Sequence, residues 1–311
     1  MINTLTLNPA IDKVIFLDKL EKNVTNRVEK VSDVIGGKGT HVSINLKLLG
    51  LNNRAFGIGY GAQGRRIVDI LQSYGLETEF VLRDNHESRT NYLLIEGCND
   101  CTLISEKGVL LEEEDLAEVM SRMQEKVGEG DFLILSGDAS NSTDPFVYNR
   151  ILKSLKSKNL KVFLDTSGQS LLKCADEAPY LIKPNLDELS MLCGREVGLA
   201  EGDLLQALDS LDRFGIEVIA VSLGGEGSIV KCPEGVFRVW PPAVKVKNTI
   251  GCGDCFLAGL VYGIEKSLSI VDALKLATAA SAATAESALS VGFDRERAES
   301  LVAACEIHRV R

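Results

Sequence analysis

Between residues 132 and 222 the chain alternates short apolar runs with helical stretches, and few folds accommodate that rhythm. Residues 132–136, 161–165, 180–183 and 217–222 read as strands, and 145–158 and 204–214 as helices between them. Strands that are apolar on both faces and joined by helices form right-handed βαβ units, hence a mainly parallel sheet covered on both sides. The expected class is therefore α/β. Each strand runs into a polar or glycine-rich corner: Ser136-Gly137-Asp138, Asp165-Thr166-Ser167-Gly168, Lys183-Pro184-Asn185 and Ser222-Leu223-Gly224-Gly225. In open α/β sheets ligands bind outside the carboxyl ends of strands, so these corners are expected to border one site.

The first hundred residues break the rhythm. Residues 12–17, 27–34, 90–96 and 102–105 read as short amphipathic strands. They predict a small separate sheet, a lid discontinuous in sequence (about 12–34 and 86–106) within one domain spanning 1–311. A lid of this kind excludes water from the cleft it covers.

Composition narrows the partners. With 44 acidic against 34 basic residues the net charge is −10, and no dense basic run occurs, so nucleic acid is excluded as an expected partner. No segment has the roughly 18 consecutive apolar residues of a membrane span, and residues 1–9 read as a strand, not a leader. The eight cysteines, without a secretory signal, point to free thiols and a cytoplasmic location. The spacings Cys98/Cys101 and Cys252/Cys255 raise a zinc or redox alternative.

The richest segment is Asn248-Thr249-Ile250-Gly251-Cys252-Gly253-Asp254-Cys255-Phe256. Its glycines permit a tight turn that gathers amide N–H groups, and the apolar stretch 256–263 reads as the helix beginning there. A helix N-terminus favours anions, and a carboxylate beside it suits phosphoryl transfer, with Asp254 taking the proton of an attacking hydroxyl. The plain structural alternative is a Gly-Asp helix cap.

Three further segments supply matching parts. Ile35-Gly36-Gly37-Lys38-Gly39-Thr40 allows a backbone to approach a ligand closely and adds one cation, although it is no Walker A loop. Asn185 and Glu188, three apart at a helix start, suit hydrated Mg²⁺ beside phosphates, or else form a capping box. Ser222-Leu223-Gly224-Gly225-Glu226-Gly227 suits wrapping a nucleotide, or a simple turn between strands. A competing pattern, Gly59-Tyr60-Gly61-Ala62-Gln63-Gly64, follows an apolar run and precedes a helix, with Glu79 further on, as in dinucleotide-binding oxidoreductases.

Gly-Gly-Lys-Gly near residue 37, Asn-x-x-Glu at 185 and Thr-x-Gly-x-Gly-Asp at 249–254 together resemble the ribokinase-like sugar kinases. The opening Thr4-Leu5-Thr6-Leu7-Asn8-Pro9-Ala10-Ile11-Asp12, with Ile182-Lys183-Pro184-Asn185 and Val221-Ser222-Leu223-Gly224, looks like the phosphofructokinase B branch, which includes 1-phosphofructokinases and tagatose-6-phosphate kinases. The resemblance runs from the first strand to about Gly292. It implies a three-layer α/β sandwich with a β lid and a cytoplasmic enzyme that uses ATP and Mg²⁺. Asp254 would be the catalytic base, with the amides of Gly251, Cys252 and Gly253 as anion hole. Asn185 and Glu188 would organise Mg²⁺, through water. Lys183, Asn185, Ser222, Gly224, Gly227, Thr249, Thr278 and Ala282 would surround the nucleotide. Asp12, Gly37, Lys38, His41, Arg89 and Asp138, with Arg27 from the lid or a partner subunit, would receive a sugar phosphate. Lid sheets would pair in a homodimer.

This sequence departs from that pattern at three places. Cys252 and Cys255 replace Ala and Ser around Asp254. Ser136-Gly137-Asp138-Ala139-Ser140-Asn141 stands where the branch usually has Ser-Gly-Ser-Leu-Pro, so that Asp138 replaces the serine that would face the sugar phosphate, and His41 replaces an Asn expected at the substrate. None of these changes bears on phosphoryl transfer itself; Asp138 and His41 bear on the acceptor. The implied reaction is fructose 1-phosphate to fructose 1,6-bisphosphate. Alternatives are tagatose 6-phosphate, another sugar or a nucleoside as acceptor, a non-catalytic sensor, or the nicotinamide enzyme.

Overall fold

Strands in the chain's apolar runs bury nearly every side chain, because helices cover both faces of the sheet they form. The computed structural model describes residues 1–97, 100–137 and 139–311, so Cys98 and Asp138 lie outside the described residues. Among the described residues the strands are β1 (Ile2–Thr6), β2 (Ala10–Leu17), β3 (Lys30–Gly36), β4 (Asn53–Tyr60), β5 (Glu77–Arg83), β6 (Arg89–Glu96), β7 (Cys101–Ser105), β8 (Phe132–Ser136), β9 (Lys161–Asp165), β10 (Leu181–Ile182), β11 (Val218–Ser222), β12 (Ser228–Cys232), β13 (Gly235–Trp240) and β14 (Glu306–Arg309). They form a large sheet in the order β14-β13-β12-β11-β10-β9-β8-β1-β4-β5 and a small one in the order β3-β2-β6-β7. From β11 to β5 the large sheet is parallel; β12, β13 and β14 extend one edge in antiparallel fashion.

Strand alternation divides the interior into two layers. Leu133 and Leu135 of β8 join one core with Leu164, Ile182, Ile219 and Val221. Phe132 and Ile134 face the other way, with Phe163, Leu181, Val218 and Ala220, against the helices Lys38–Leu48, Cys252–Glu265 and Ile270–Ala285. The expected α/β architecture with a lid sheet is present. The lid strands begin and end within about three residues of the expected ones, as strand boundaries usually do.

The helices Cys252–Glu265 and Ile270–Ala285 meet along small residues. A Cβ on Gly259 would overlap the backbone of Ala277, and one on Gly263 would overlap Ala273. This close approach fixes the helix that begins at the Gly251 turn against its neighbour. Gly259→Ala is expected to lower unfolding free energy by about 1–3 kcal/mol, the usual cost of overpacking, read as a lower urea midpoint at unchanged m-value.

Candidate active site

Two cavities open at the carboxyl ends of the parallel strands, and they meet at the glycine turn. One, of about 460 Å³, is lined by Asp12, Gly37, Lys38, His41, Arg89, Lys183, Gly251, Gly253 and Asp254 among others. The second, of about 360 Å³, is lined by Ser222, Gly224, Gly227, Thr249, Cys252, Gly253, Thr278 and Ala282 among others. Gly253 borders both. An acceptor and a phosphoryl donor placed in them would face each other across the first turn of the Cys252 helix.

The turn requires glycine at one point. Gly251 adopts a left-handed conformation (φ 85°), and a Cβ there would overlap the carbonyl oxygen of Ser290. The amide of Cys252 bonds back to the Thr249 carbonyl at 3.3 Å. The succeeding amides belong to the first helical turn, which has no intrahelical acceptors for them. A Cβ on Gly253 would lie 3.4 Å from Lys183 Nζ, so this ammonium stands directly beside the turn.

A buried charge cluster frames the same point. Asp165, at the end of β9, lies 3.3 Å from both Lys38 and Lys183. Burial pushes the Asp165 carboxyl up, but Lys183 and then Lys38 outweigh it and hold it below the usual carboxylate value. Asp165 raises Lys38 far above an ordinary lysine against the opposing effect of burial, with Asp254 and Glu188 contributing. Lys38 is therefore held as a cation in a place where a phosphoryl group would need one, with the Lys183 side chain beside it. In the sequence Asp165 is marked only as a strand corner; its partnership with Lys38 and Lys183 has no local signature.

Asp254 is nearly buried and hydrogen-bonded to His41, whose Nδ1 is 2.8 Å from Asp254 Oδ2. His41 Nε2 lies 3.0 Å from the Ile35 carbonyl, so both ring nitrogens of this residue are engaged. Asp12 accepts from Asn91 at 2.8 Å and from Ser290 at 2.9 Å. Arg89 donates to the carbonyls of Asn8 and Glu106 and to Ser105, and borders the acceptor-side cavity. Arg27 is exposed on the segment between β2 and β3, outside that lining. Asn91 and Ser290 were not anticipated, since nothing in their sequence neighbourhoods marks them.

The Asn185–Glu188 pair forms the capping box: Glu188 N–H donates to Asn185 Oδ1 at 2.8 Å and Asn185 N–H to Glu188 Oε2 at 3.0 Å. Burial pushes the Glu188 carboxyl up. Asn185 also bridges to Ser222, so the pair sits beside the β11 corner.

The dinucleotide-binding alternative loses its basis. The amides of Ala62 and Gln63, which open the helix Gly61–Ser73, donate to the Glu87 carboxylate at 3.1 and 2.9 Å. These bonds hold the Glu87 carboxyl below its ordinary value. A pyrophosphate has no place on a helix N-terminus already filled by the chain's own anion. Gly59 and Gly64 serve instead to let strand and helix touch, since a Cβ on either would overlap the other's backbone. As for the cysteine pairs, burial pushes the Cys252 thiol up to about 12 and the Cys255 thiol further. Cys98 lies outside the described residues.

Residues 5–292 match the pattern of the pfkB family of carbohydrate kinases. The chain belongs to that family. The kinase is 32% identical over 285 residues to a 1-phosphofructokinase of Bacillus subtilis, with 92% of each chain covered. It is 33% identical over 281 residues to a tagatose-6-phosphate kinase of Staphylococcus epidermidis, with 90% of each covered. In fold it is similar to phosphofructokinase-2 from Escherichia coli in complex with substrates and products, at TM-score 0.91 over 97% of this chain and 98% of that one, with 22% identity.

Asp165 is central to the kinase's cation cluster. Asp165→Asn is expected to cost about 3 kcal/mol of stability, because it leaves the buried Lys183 ammonium without its counter-charge. Its lowered folded pKa contributes stability present above the unfolded carboxyl value of about 3.9 and lost as pH falls through the folded value. Urea melts between pH 3 and pH 7 should show that acid loss in the wild type and a shallower one in the variant.

Proposed function

We propose that this kinase transfers the γ-phosphoryl group of ATP to a hydroxyl of a ketohexose phosphate, most directly fructose 1-phosphate, giving fructose 1,6-bisphosphate. The observation that carries the reading is the junction of two cavities at Gly253, with Asp254 on one side and the glycine-lined cleft on the other. The alternative acceptor is tagatose 6-phosphate, since a relative bearing that name matches as fully as the first.

Each cavity contains a buried polar atom awaiting a partner. Among the described residues, Thr278 Oγ1 in the nucleotide cleft and Ser136 Oγ in the acceptor cavity make no hydrogen bond. Such groups are costly to bury and fit sites where a ligand completes them. Ser222, Gly224, Gly227, Thr249 and Ala282 would surround the nucleotide beside Thr278. Lys38, Lys183 and the amides of the Gly251–Gly253 turn would hold the transferring phosphoryl oxygens, where charge develops in the transition state. Asp254 would take the proton of the attacking hydroxyl. Asp12, Gly37, His41 and Arg89 would line the sugar phosphate's seat, with Arg27 reaching it from a partner subunit.

Asn185 and Glu188 fit Mg²⁺: the capping box occupies one Glu188 oxygen, and the other belongs to a half-buried carboxyl whose ionised form a cation would favour. Bound there through water, Mg²⁺ would neutralise phosphate charge.

The outer face of the lid supports the homodimer. Val31 pairs with Ile15, Ile15 with Leu94, and Ile104 with Tyr92 in register, placing these apolar side chains on one face, with Val31 48% and Ile104 54% exposed. Ile104→Lys is expected to shift sedimentation from dimer to monomer; a wild type that sediments as a monomer overturns this arrangement.

Asp254→Asn is expected to reduce turnover about 10²–10⁴-fold, the usual worth of a general base, with nucleotide affinity nearly unchanged by calorimetry. An acceptor panel with coupled ADP detection, covering fructose 1-phosphate, tagatose 6-phosphate, unphosphorylated sugars and nucleosides, ranks the substrates by kcat/KM. Ligand-induced stabilisation without ADP release from any acceptor would replace the kinase reaction by a sensor.

A further inference from the structure

His41 is the buried titratable group that a phosphoryl-transfer site has least obvious use for, yet it touches the residue assigned as base. Its side chain is about 4% exposed and Asp254's about 8%. The Ile35 carbonyl beside Nε2 can only accept, so Nε2 carries a hydrogen. Nδ1, 2.8 Å from Asp254 Oδ2, then has two options. Either it donates to a carboxylate, making the ring an imidazolium, or it accepts from a protonated Asp254.

The surroundings decide between them. Asp254 faces the ring from the Cys252 helix, and Asp12 faces it from β2, with Oδ2 3.9 Å from Nε2. Ile35 of β3 presents its carbonyl. On His41's own helix Lys38 is paired with Asp165, and Lys183 and Arg89 border the same cavity further off. Two carboxylates and a carbonyl thus converge on one imidazole.

We infer that His41 is a positioning residue for the kinase reaction: as an imidazolium it clamps Asp254 Oδ2, leaving the other carboxylate oxygen to accept the acceptor's hydroxyl proton. The inference rests on Asp254 being the base. Burial by itself would lower the imidazole's pKa; the hydrogen bond to Asp254, the charges of Asp254 and Asp12 and the Ile35 carbonyl together hold it above the ordinary value. When the proton leaves, the Nδ1 lone pair faces a carboxylate oxygen, the charge-assisted hydrogen bond is gone and the base is released from its orientation. Turnover should then fall as pH rises through the raised His41 value. The sign for stability is the same: a raised folded pKa gives a contribution complete below the unfolded imidazole value of about 6.5 and lost as pH rises through the folded one. An asparagine at this position would donate an amide N–H to Asp254 without titrating.

The test has two arms. In the ligand-free protein, ¹⁵N-histidine NMR from pH 5 to 9.5 follows the imidazoles, with His41 assigned by its absence in His41→Asn. Both His41 nitrogens should remain protonated at pH 7.5, and in Asp254→Asn the ring should lose its proton at least one pH unit lower. In the second arm, kcat/KM against pH is measured for wild type, His41→Asn and His41→Leu with the best acceptor of the panel. His41→Asn should stay within about tenfold of wild type at pH 7 and lack the alkaline fall, whereas His41→Leu should lose about 10–100-fold, within the range of a displaced catalytic group. A neutral His41 at pH 7.5 overturns the inference, as does an alkaline fall unchanged in His41→Asn. Full turnover in Asp254→Asn would instead sink the base assignment, a separate failure visible in a separate variant.

Discussion

The site depends on one backbone constraint, the left-handed turn at Gly251 held against the Ser290 carbonyl. Because no side chain fits there, the chain reverses sharply and the Cys252 helix starts at once. That start point fixes three things together. It places helical amides at the junction of the two cavities, it turns Asp254 toward the cavity lined by Asp12 and His41, and it turns Cys252 and Phe256 toward the cavity lined by Ser222 and Thr278. Gly259 and Gly263, packed on Ala277 and Ala273, then hold the helix without slack. Catalytic groups gain from such rigidity, since displacement of about 1 Å is enough to cost a hundredfold in rate.

Charge is arranged as economically as the backbone. A chain of net charge −10 repels anions at long range, so a phosphorylated substrate must be received by a local field. Asp165 holds Lys38 and Lys183 in place while leaving the trio one positive charge in excess. The lysines are thereby ordered before any ligand arrives, and their reorganisation does not have to occur during transfer. The same neighbourhood contains Glu188, whose half-buried carboxyl acts on Lys38.

Much of this was legible in the sequence where one local segment both shapes the backbone and supplies the chemistry. The parallel sheet followed from apolar runs and helix spacing, and the Gly251–Asp254 segment from its glycines. Gly36 and Gly39 were legible for a partly different reason: a Cβ on Gly36 would strike Asp12, and one on Gly39 would strike Thr6 and the Leu5 carbonyl, so packing alone demands them. At Asn185 and Glu188 the capping box and the proposed metal role coexist, which no sequence could separate. The Gly59–Gly64 pattern misled because close strand–helix contact needs the same spacing as a dinucleotide loop, and the discriminating residue, Glu87, comes from a later segment. Ser290, Asn91 and the bridging role of Asp165 between Lys38 and Lys183 were invisible, since each is a single polar residue recruited from elsewhere in the chain.

Those recruited residues tie the lid to the site. Ser290 acts through two atoms at once: its carbonyl packs against Gly251, and its hydroxyl donates to Asp12 on lid strand β2. Asn91, on the neighbouring lid strand β6, donates to the other oxygen of Asp12. Beneath the lid, Ile250 packs against the cluster of Val14, Leu93 and Ile95, one residue before the Gly251 turn. The lid therefore does more than shut water out. A displacement of β2 large enough to break the Asp12–Ser290 bond acts on the residue whose backbone packs against the Gly251 turn, and a displacement of β6 acts on Ile250 beside it. The lid and the Gly251 turn are thus joined in one packing arrangement, through buried polar residues on strands distant in sequence.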